Sequence, residues 1–324
     1  MPMSPELFHE INTLAPWFFP AAVFLLGACV GSFLNVCIYR IPAEKSVVTP
    51  GSTCACGTRI AWHDNIPILS WLFLRGRARC CGRPFSIRYP AVELLTGLLF
   101  LASWMQHPPA KALVGMVFIS ILVCATFIDF DHMIIPDRFA IGGAVVGVLF
   151  SALVPSLHDQ AATAFWPINS MRGMIEAFTG VLIGSGMVLW IRLLAEVILR
   201  REAMGFGDVK FLGAIGAFCG WQGGVFAIFG GAVIGTVWFG LVAAYKLVFR
   251  RGRPATAAPM LSEAPSASSP DQEPDDAEPE SFTLGSETPY GPMLAAGALV
   301  YFLWLHPIVD GYFADVYALL TDFS

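Results

Sequence analysis

The stretch Phe211-Leu-Gly-Ala-Ile-Gly-Ala-Phe-Cys-Gly-Trp-Gln-Gly-Gly-Val-Phe-Ala-Ile-Phe-Gly-Gly-Ala-Val-Ile-Gly-Thr-Val-Trp-Phe-Gly-Leu-Val-Ala-Ala-Tyr245 runs for 35 residues without one Asp, Glu, Lys, Arg or His. A bilayer-spanning helix needs about 20 such residues. The run is too long for one span, and Trp221-Gln-Gly-Gly224 is the natural place to break it into two. Outward from it, the same reading picks out Phe18 to Tyr39, Leu94 to Ala110, Ala112 to Ile128, Phe139 to Leu157, Met174 to Leu199 and Gly291 to Val309. Only Glu176, Arg192 and Glu196 interrupt the fifth of these. The expected fold is an all-α polytopic membrane protein of about eight transmembrane helices. Composition agrees: 56% of the 324 residues are hydrophobic and 13% charged, against about 25% charged in ordinary globular chains. A soluble enzyme and a disordered chain are both excluded on these grounds.

Lysine and arginine set the orientation, because they gather on the cytoplasmic side. Arg40, Lys45, Arg59, Arg75, Arg77, Arg79, Arg83 and Arg88 fall between the first two runs. Arg138, then Arg200, Arg201 and Lys210, then Lys246, Arg250, Arg251 and Arg253 mark later cytoplasmic segments, while Lys111 and Arg172 stand alone in the alternate loops. Both termini are therefore expected outside, and a cytoplasmic loop domain is expected between helices one and two. Only Glu6 and Glu10 precede the first run, so it lacks the basic start of a signal peptide and reads as a retained helix. The net charge of −5 conceals a split: residues 254–324 hold 11 acids and no base, leaving residues 1–253 at +6. The basic part faces anionic lipid. Segment 254–288, rich in Pro, Ala, Ser, Asp and Glu, reads as a disordered spacer.

Ionisable groups at the edge of a span are functional candidates. Phe127-Ile-Asp-Phe-Asp-His-Met-Ile-Ile-Pro-Asp137 places Asp129 at the end of the third run. There the helix dipole opposes a negative charge. Asp131 and Asp137 have ordinary explanations, with Pro136 suited to a first helical turn. Gly205-Phe-Gly-Asp208 opens the sixth run, where Asp208 equally suits a helix N-cap. One out-and-back helix pair lies between Asp129 and Asp208, so both carboxylates belong at the same membrane face. Paired carboxylates can share a proton, one acting as base on water and the other as acid toward an amide. The same two acids would serve a multi-pass transporter as proton or cation sites, but such sites belong near the midplane on broken helices. No phosphate-binding loop, dinucleotide fingerprint, HExxH or GxSxG occurs.

Cys29, Cys37, Cys124 and Cys219 lie in apolar runs and read as small buried hydrophobes. Cys54, Cys56, Cys80 and Cys81 lie in the basic loop, where a reducing compartment disfavours disulfides. Two close pairs suggest a tetrahedral zinc site of four thiolates, although the spacing is CxC and CC. Unligated thiols are the alternative, and His63 is a possible substitute ligand.

Taken together, the chain resembles the bacterial type IV prepilin peptidases, leader peptidase/N-methyltransferases of the inner membrane. The resemblance rests on Gly31-Ser-Phe-Leu-Asn-Val36, Asp64-Asn-Ile-Pro-Ile-Leu-Ser-Trp71, Arg88-Tyr-Pro-Ala-Val-Glu-Leu94, Ile128-Asp129 with Ile135-Pro-Asp137, Gly205-Phe-Gly-Asp208 and Pro289-Tyr-Gly-Pro292. It implies that Asp129 and Asp208 are the catalytic pair and that the substrates are prepilins and the pseudopilins of type II secretion. It implies cleavage after a glycine of a basic leader, on the cytoplasmic side, followed by methylation of the new N-terminus with S-adenosylmethionine. Gly76, within Leu74-Arg-Gly-Arg77, matches a family glycine needed for methylation, and Glu93 matches a family glutamate; the resemblance implies that both are cofactor-binding residues for S-adenosylmethionine. Where the family carries CxxC pairs, this chain has CxC and CC, with Ala78 where the second pair would begin. A relative that cleaves without methylating is the nearest alternative. The implied division is a first helix (1–40), a methylation-associated cysteine loop (41–89), a peptidase core (90–250), the acidic loop (251–288) and a last helix with its tail (289–324). No nucleic-acid partner is implied.

Overall fold

The computed structural model describes residues 5–54, 56–159, 163, 165–200, 205–249 and 289–322. The expected disordered loop 254–288 lies outside them. Residues 1–234 with 289–324 form one compact unit; residues 235–288 form another, described only as the C-terminal part of a helix ending at Phe249.

Among the described residues the secondary structure is helical, with no strand beyond two isolated bridges in the loop. The helices are α1 (Pro5–Leu14), α2 (Phe18–Arg40), α3 (Leu69–Phe73), α4 (Arg88–Gln106), α5 (Pro109–His132), α6 (Asp137–Leu153), α7 (Trp166–Leu199), α8 (Phe206–Phe249), α9 (Gly291–Val300) and α10 (His306–Asp322). A π-helical turn, Tyr301–Leu305, joins the last two. Five segments are long and apolar enough to cross a membrane: α2, α5, α7, α8 as far as Tyr245, and Gly291–Asp322. This supports a multi-pass membrane protein. The helix α6 is only 17 residues long.

The boundaries follow local chemistry. Pro108 and Pro109 separate α4 from α5, since proline supplies no N–H to the preceding helix and suits the first turn of the next. The C-terminus of α5 closes on Met133 in a left-handed conformation, whose N–H bonds Asp129 O at 3.0 Å. Asp129 therefore sits inside the last turn rather than at its end. Pro136 proves to be the cap preceding α6, and Asp137 occupies the first turn, where the dipole favours an acid. The expected break in the long run falls at Gly220 (φ 69°, ψ −179°), one residue before Trp221-Gln-Gly-Gly224.

The core gathers around fully buried Phe118, Phe211, Leu212, Ile215 and Phe218, with the rings of Phe118 and Phe218 stacked at 4.7 Å. Glycines bring α7 against α8: a Cβ on Gly180 would lie 2.1 Å from Gly216 O. Close backbone approach through small residues is how helices associate where lipid removes the hydrophobic drive. The outer faces are apolar too; Trp190 is 74% and Val197 76% exposed on α7. Cys37, Cys124 and Cys219 are buried as expected, whereas Cys29 is exposed on α2, which presents Leu25, Leu26 and Phe33 outward as well.

Candidate active site and cysteine centre

Three helix ends converge on the two candidate carboxylates. The last turn of α5 supplies Asp129, and the first turn of α8 supplies Asp208. The long pair α6–α7 returns the chain to the same face. Both acids are buried, at 5% and 8% exposure, and each lies within Coulombic reach of the other. Burying two carboxylates side by side is costly unless their states differ or their charges are used.

The start of α9 forms the third wall. Gly291 N–H donates to the Asp129 carboxylate. A Cβ on Gly291 would lie 2.5 Å from Asp129 Oδ2 and 3.0 Å from Ile135 Cδ1. Tyr290 donates its hydroxyl to Ile228 O on α8 at 3.0 Å and lies within Coulombic reach of Asp208. The sequence motif Pro289-Tyr-Gly-Pro292 contains both residues, yet nothing in its spacing says that it closes on Asp129.

Ion pairs brace the same face. Arg88 Nη1 and Nη2 each reach Asp131 at 2.7 Å, and Lys210 Nζ reaches Asp137 at 2.7 Å. Asp131 and Asp137 are thus structural partners; Asp137 lies in the first turn of α6 as its ordinary reading has it, whereas Asp131 lies in the last turn of α5 and is held by Arg88.

In the loop between α2 and α4, two small turns present the cysteines. The bridge Thr53–Arg59 brackets Cys54 and Cys56; the bridge Arg77–Pro84 brackets Cys80 and Cys81. Cys54 Sγ lies 3.5 Å from Cys81 Sγ, Cys56 Sγ lies 3.3 Å from Cys80 Sγ, and all four sulfurs fall within 4.8 Å of one another. Thiolates 2.3 Å from a tetrahedral zinc stand about 3.8 Å apart, so the CxC and CC pairs fit the ion despite their spacing. His63 does not join them; it lies beside Asp64 at 3.8 Å. Hydrogen bonding with Thr58 pulls the Cys56 thiol down to about 6, and the bond with Cys56 pushes Cys80 up to about 12.

Gly76 and Glu93 flank α3 without a hydrogen bond between them among the described residues. Gly76 adopts φ 67°, and a Cβ there would meet the Trp71 indole at 3.1 Å. Trp71 Nε1 in turn donates to Phe85 O at 3.2 Å. Glu93 is buried and accepts the Ile68 N–H at 2.7 Å and a bond from Ser32 of α2. Ile68 itself sits at φ 63°, a costly backbone for a β-branched residue, and the carboxylate helps to hold it there.

A family model described as the bacterial peptidase A24 N-terminal domain matches residues 25–107, and one described as the type IV leader peptidase family matches residues 116–240. A prepilin leader peptidase/N-methyltransferase of Klebsiella pneumoniae is 37% identical over 225 residues, which cover 67% of this chain and 92% of that protein. The chain belongs to the type IV leader peptidase family. Another family member with the same description, from Pectobacterium carotovorum, is 35% identical over 263 residues, covering 72% of this chain and 88% of the relative. A third, from Myxococcus xanthus, is 42% identical over 227 residues; this chain covers 62% of its length. No solved structure matches the chain. Within the family's N-terminal match lie the four cysteines, Gly76 and Glu93, and within its C-terminal match lie both aspartates.

Proposed function

We infer that this peptidase is a leader peptidase/N-methyltransferase of prepilins and type II secretion pseudopilins, with Asp129 and Asp208 as its catalytic pair. The observation that carries the reading is the burial of these two acids within Coulombic reach of each other at one end of a bundle of long apolar helices. Their position favours the peptidase over a midplane proton or cation site. With one proton shared between them, the ionised carboxylate takes a proton from water, whose oxygen attacks the carbonyl carbon of the leader's last residue, the glycine. The other carboxyl donates its proton to the leaving amine as the C–N bond breaks.

The basic loops put this end of the bundle on the cytoplasmic face of the inner membrane, with both termini periplasmic. The domain division is that of the sequence, with loop 41–89 serving methylation. The cysteine cluster holds one zinc ion through Cys54, Cys56, Cys80 and Cys81; a closed four-thiolate site is structural and ties the two turns together. S-adenosylmethionine supplies the methyl group to the new N-terminal amine. Gly76 and Glu93 serve this step by shaping the loop around α3, since their contacts are with Trp71, Ile68 and Ser32. Incubation of the purified protein with a prepilin-like peptide, with and without S-adenosylmethionine, tests both activities by mass analysis. Cleavage in both reactions and a methyl mass only with the donor are expected; no cleavage rejects the peptidase, and cleavage without methylation selects the single-activity relative.

A further inference from the structure

Asp129 occupies the last turn of α5, where the helix dipole opposes its charge. The start of α9 offsets this. A helix leaves its first N–H groups without internal partners, and at α9 they can be followed one by one. Pro292 has none. Met293 N–H and Leu294 N–H both bond Tyr290 O, at 3.0 and 3.1 Å. Gly291 N–H remains, and it points to the Asp129 carboxylate.

The donor is rigidly held. Tyr290 is tied to Ile228 O, a Cβ on Gly231 of α8 would lie 2.7 Å from Met293 O, and one on Gly297 of α9 would lie 2.8 Å from Ala227 O. The turn is thus anchored on the helix that carries Asp208 while it grips the carboxylate carried by α5. Residue 291 has no room for a side chain, because a Cβ would press on Asp129 Oδ2 and Cγ at 2.5 and 3.2 Å.

We propose that Gly291 is a positioning residue of the aspartyl centre: its backbone N–H, presented by a turn anchored on α8, fixes the carboxylate of Asp129 against Asp208. The proposal rests on these two acids being the catalytic pair.

Gly291→Ala in the full-length membrane protein tests it, with a prepilin-like peptide for cleavage and a pre-cleaved peptide for methylation. Displacing a catalytic group by an ångström costs about 100-fold. The expected result is a kcat for cleavage lower by about that factor, KM changed by less than about twofold, and methylation at the unsubstituted rate. Unchanged kcat overturns the proposal. Parallel loss of cleavage and methylation, with a lowered thermal midpoint, also overturns it, because the glycine then serves folding alone. Asp129→Asn and Asp208→Asn run alongside. Full cleavage by either removes the catalytic pair itself, whereas two inactive Asn variants beside a fully active Gly291→Ala reject only the positioning role.

Discussion

Arg88 holds Asp131 at both ends of its guanidinium, Nη1 to Oδ1 and Nη2 to Oδ2, each at 2.7 Å. It also lies over the Phe127 ring at 5.0 Å and donates to Phe127 O at 3.3 Å. The N-terminus of α4 is thereby clamped to the last turn of α5. Asp131 is occupied by this pair, while Asp129, two residues earlier, is left to face Asp208 and Gly291.

Three neighbouring substitutions should therefore behave differently. Asp129→Asn and Asp208→Asn are each expected to abolish leader cleavage while leaving the protein inserted in the membrane. Asp131→Asn is expected to retain cleavage within about tenfold, because both partners of its ion pair are about a third exposed and such pairs contribute about 1 kcal/mol or less. Peptide cleavage by detergent-purified variants checks all three. Full cleavage by Asp129→Asn or Asp208→Asn rejects the dyad.

Gly76→Ser should separate the two activities. The residue needs φ 67°, and a side chain there presses on Trp71 at 3.1 Å, so serine adds about 1–3 kcal/mol of local strain. That strain falls on the loop, far in sequence from Asp208. Cleavage is expected to persist and methylation to disappear. A methyl group retained on the mature substrate's first residue, seen by mass spectrometry, refutes the assignment.

The five segments long and apolar enough to cross a membrane were legible because each contains an extended apolar run. Their ends were less so. α7 begins at Trp166 rather than Met174 because Pro167 suits its first turn, and polar Asn169 and Arg172 conceal the start. The break at Gly220 was off by one residue because Gly220, Gly223 and Gly224 look alike in sequence; only Gly220 adopts the left-handed backbone, beside Gln222 and His158. For the site, topology alone put Asp129 and Asp208 at one face. The closure of Gly291 on Asp129 joins residues far apart in the chain through a backbone N–H, which no side-chain pattern encodes.

The cysteine cluster yields a metal prediction. Elemental analysis should find one zinc per chain, and Cys56→Ser or Cys80→Ser should lose it; an absence of zinc in the purified protein rejects the site. In protein stripped by chelator, Cys56 should be alkylated ahead of Cys80, with a midpoint of about 6, because Thr58 favours its thiolate. Thr58→Val should raise that midpoint. An iodoacetamide rate profile with an ordinary thiol midpoint at Cys56 would contradict the contact.

The same loop should carry an acid sensitivity of its own. Arg79 binds both oxygens of Asp64, Nε at 3.0 and 2.9 Å and Nη2 at 2.8 Å. The hydrogen bonds to this guanidinium hold the Asp64 carboxyl below the usual carboxylate range. A carboxyl whose folded value is depressed contributes stability that is fully present above its unfolded value, about 3.9. That contribution is lost as pH falls through the lower folded value. The pair links Asp64, in the turn before α3, to the strip carrying Cys80 and Cys81. Hydrogen exchange across residues 62–81, corrected for intrinsic rates, should therefore be flat from pH 7 to about 4.5 and accelerate below about 4. Asp64→Asn should show the faster exchange at every pH and no such step. A step centred near pH 6 instead would remove Asp64 as its cause.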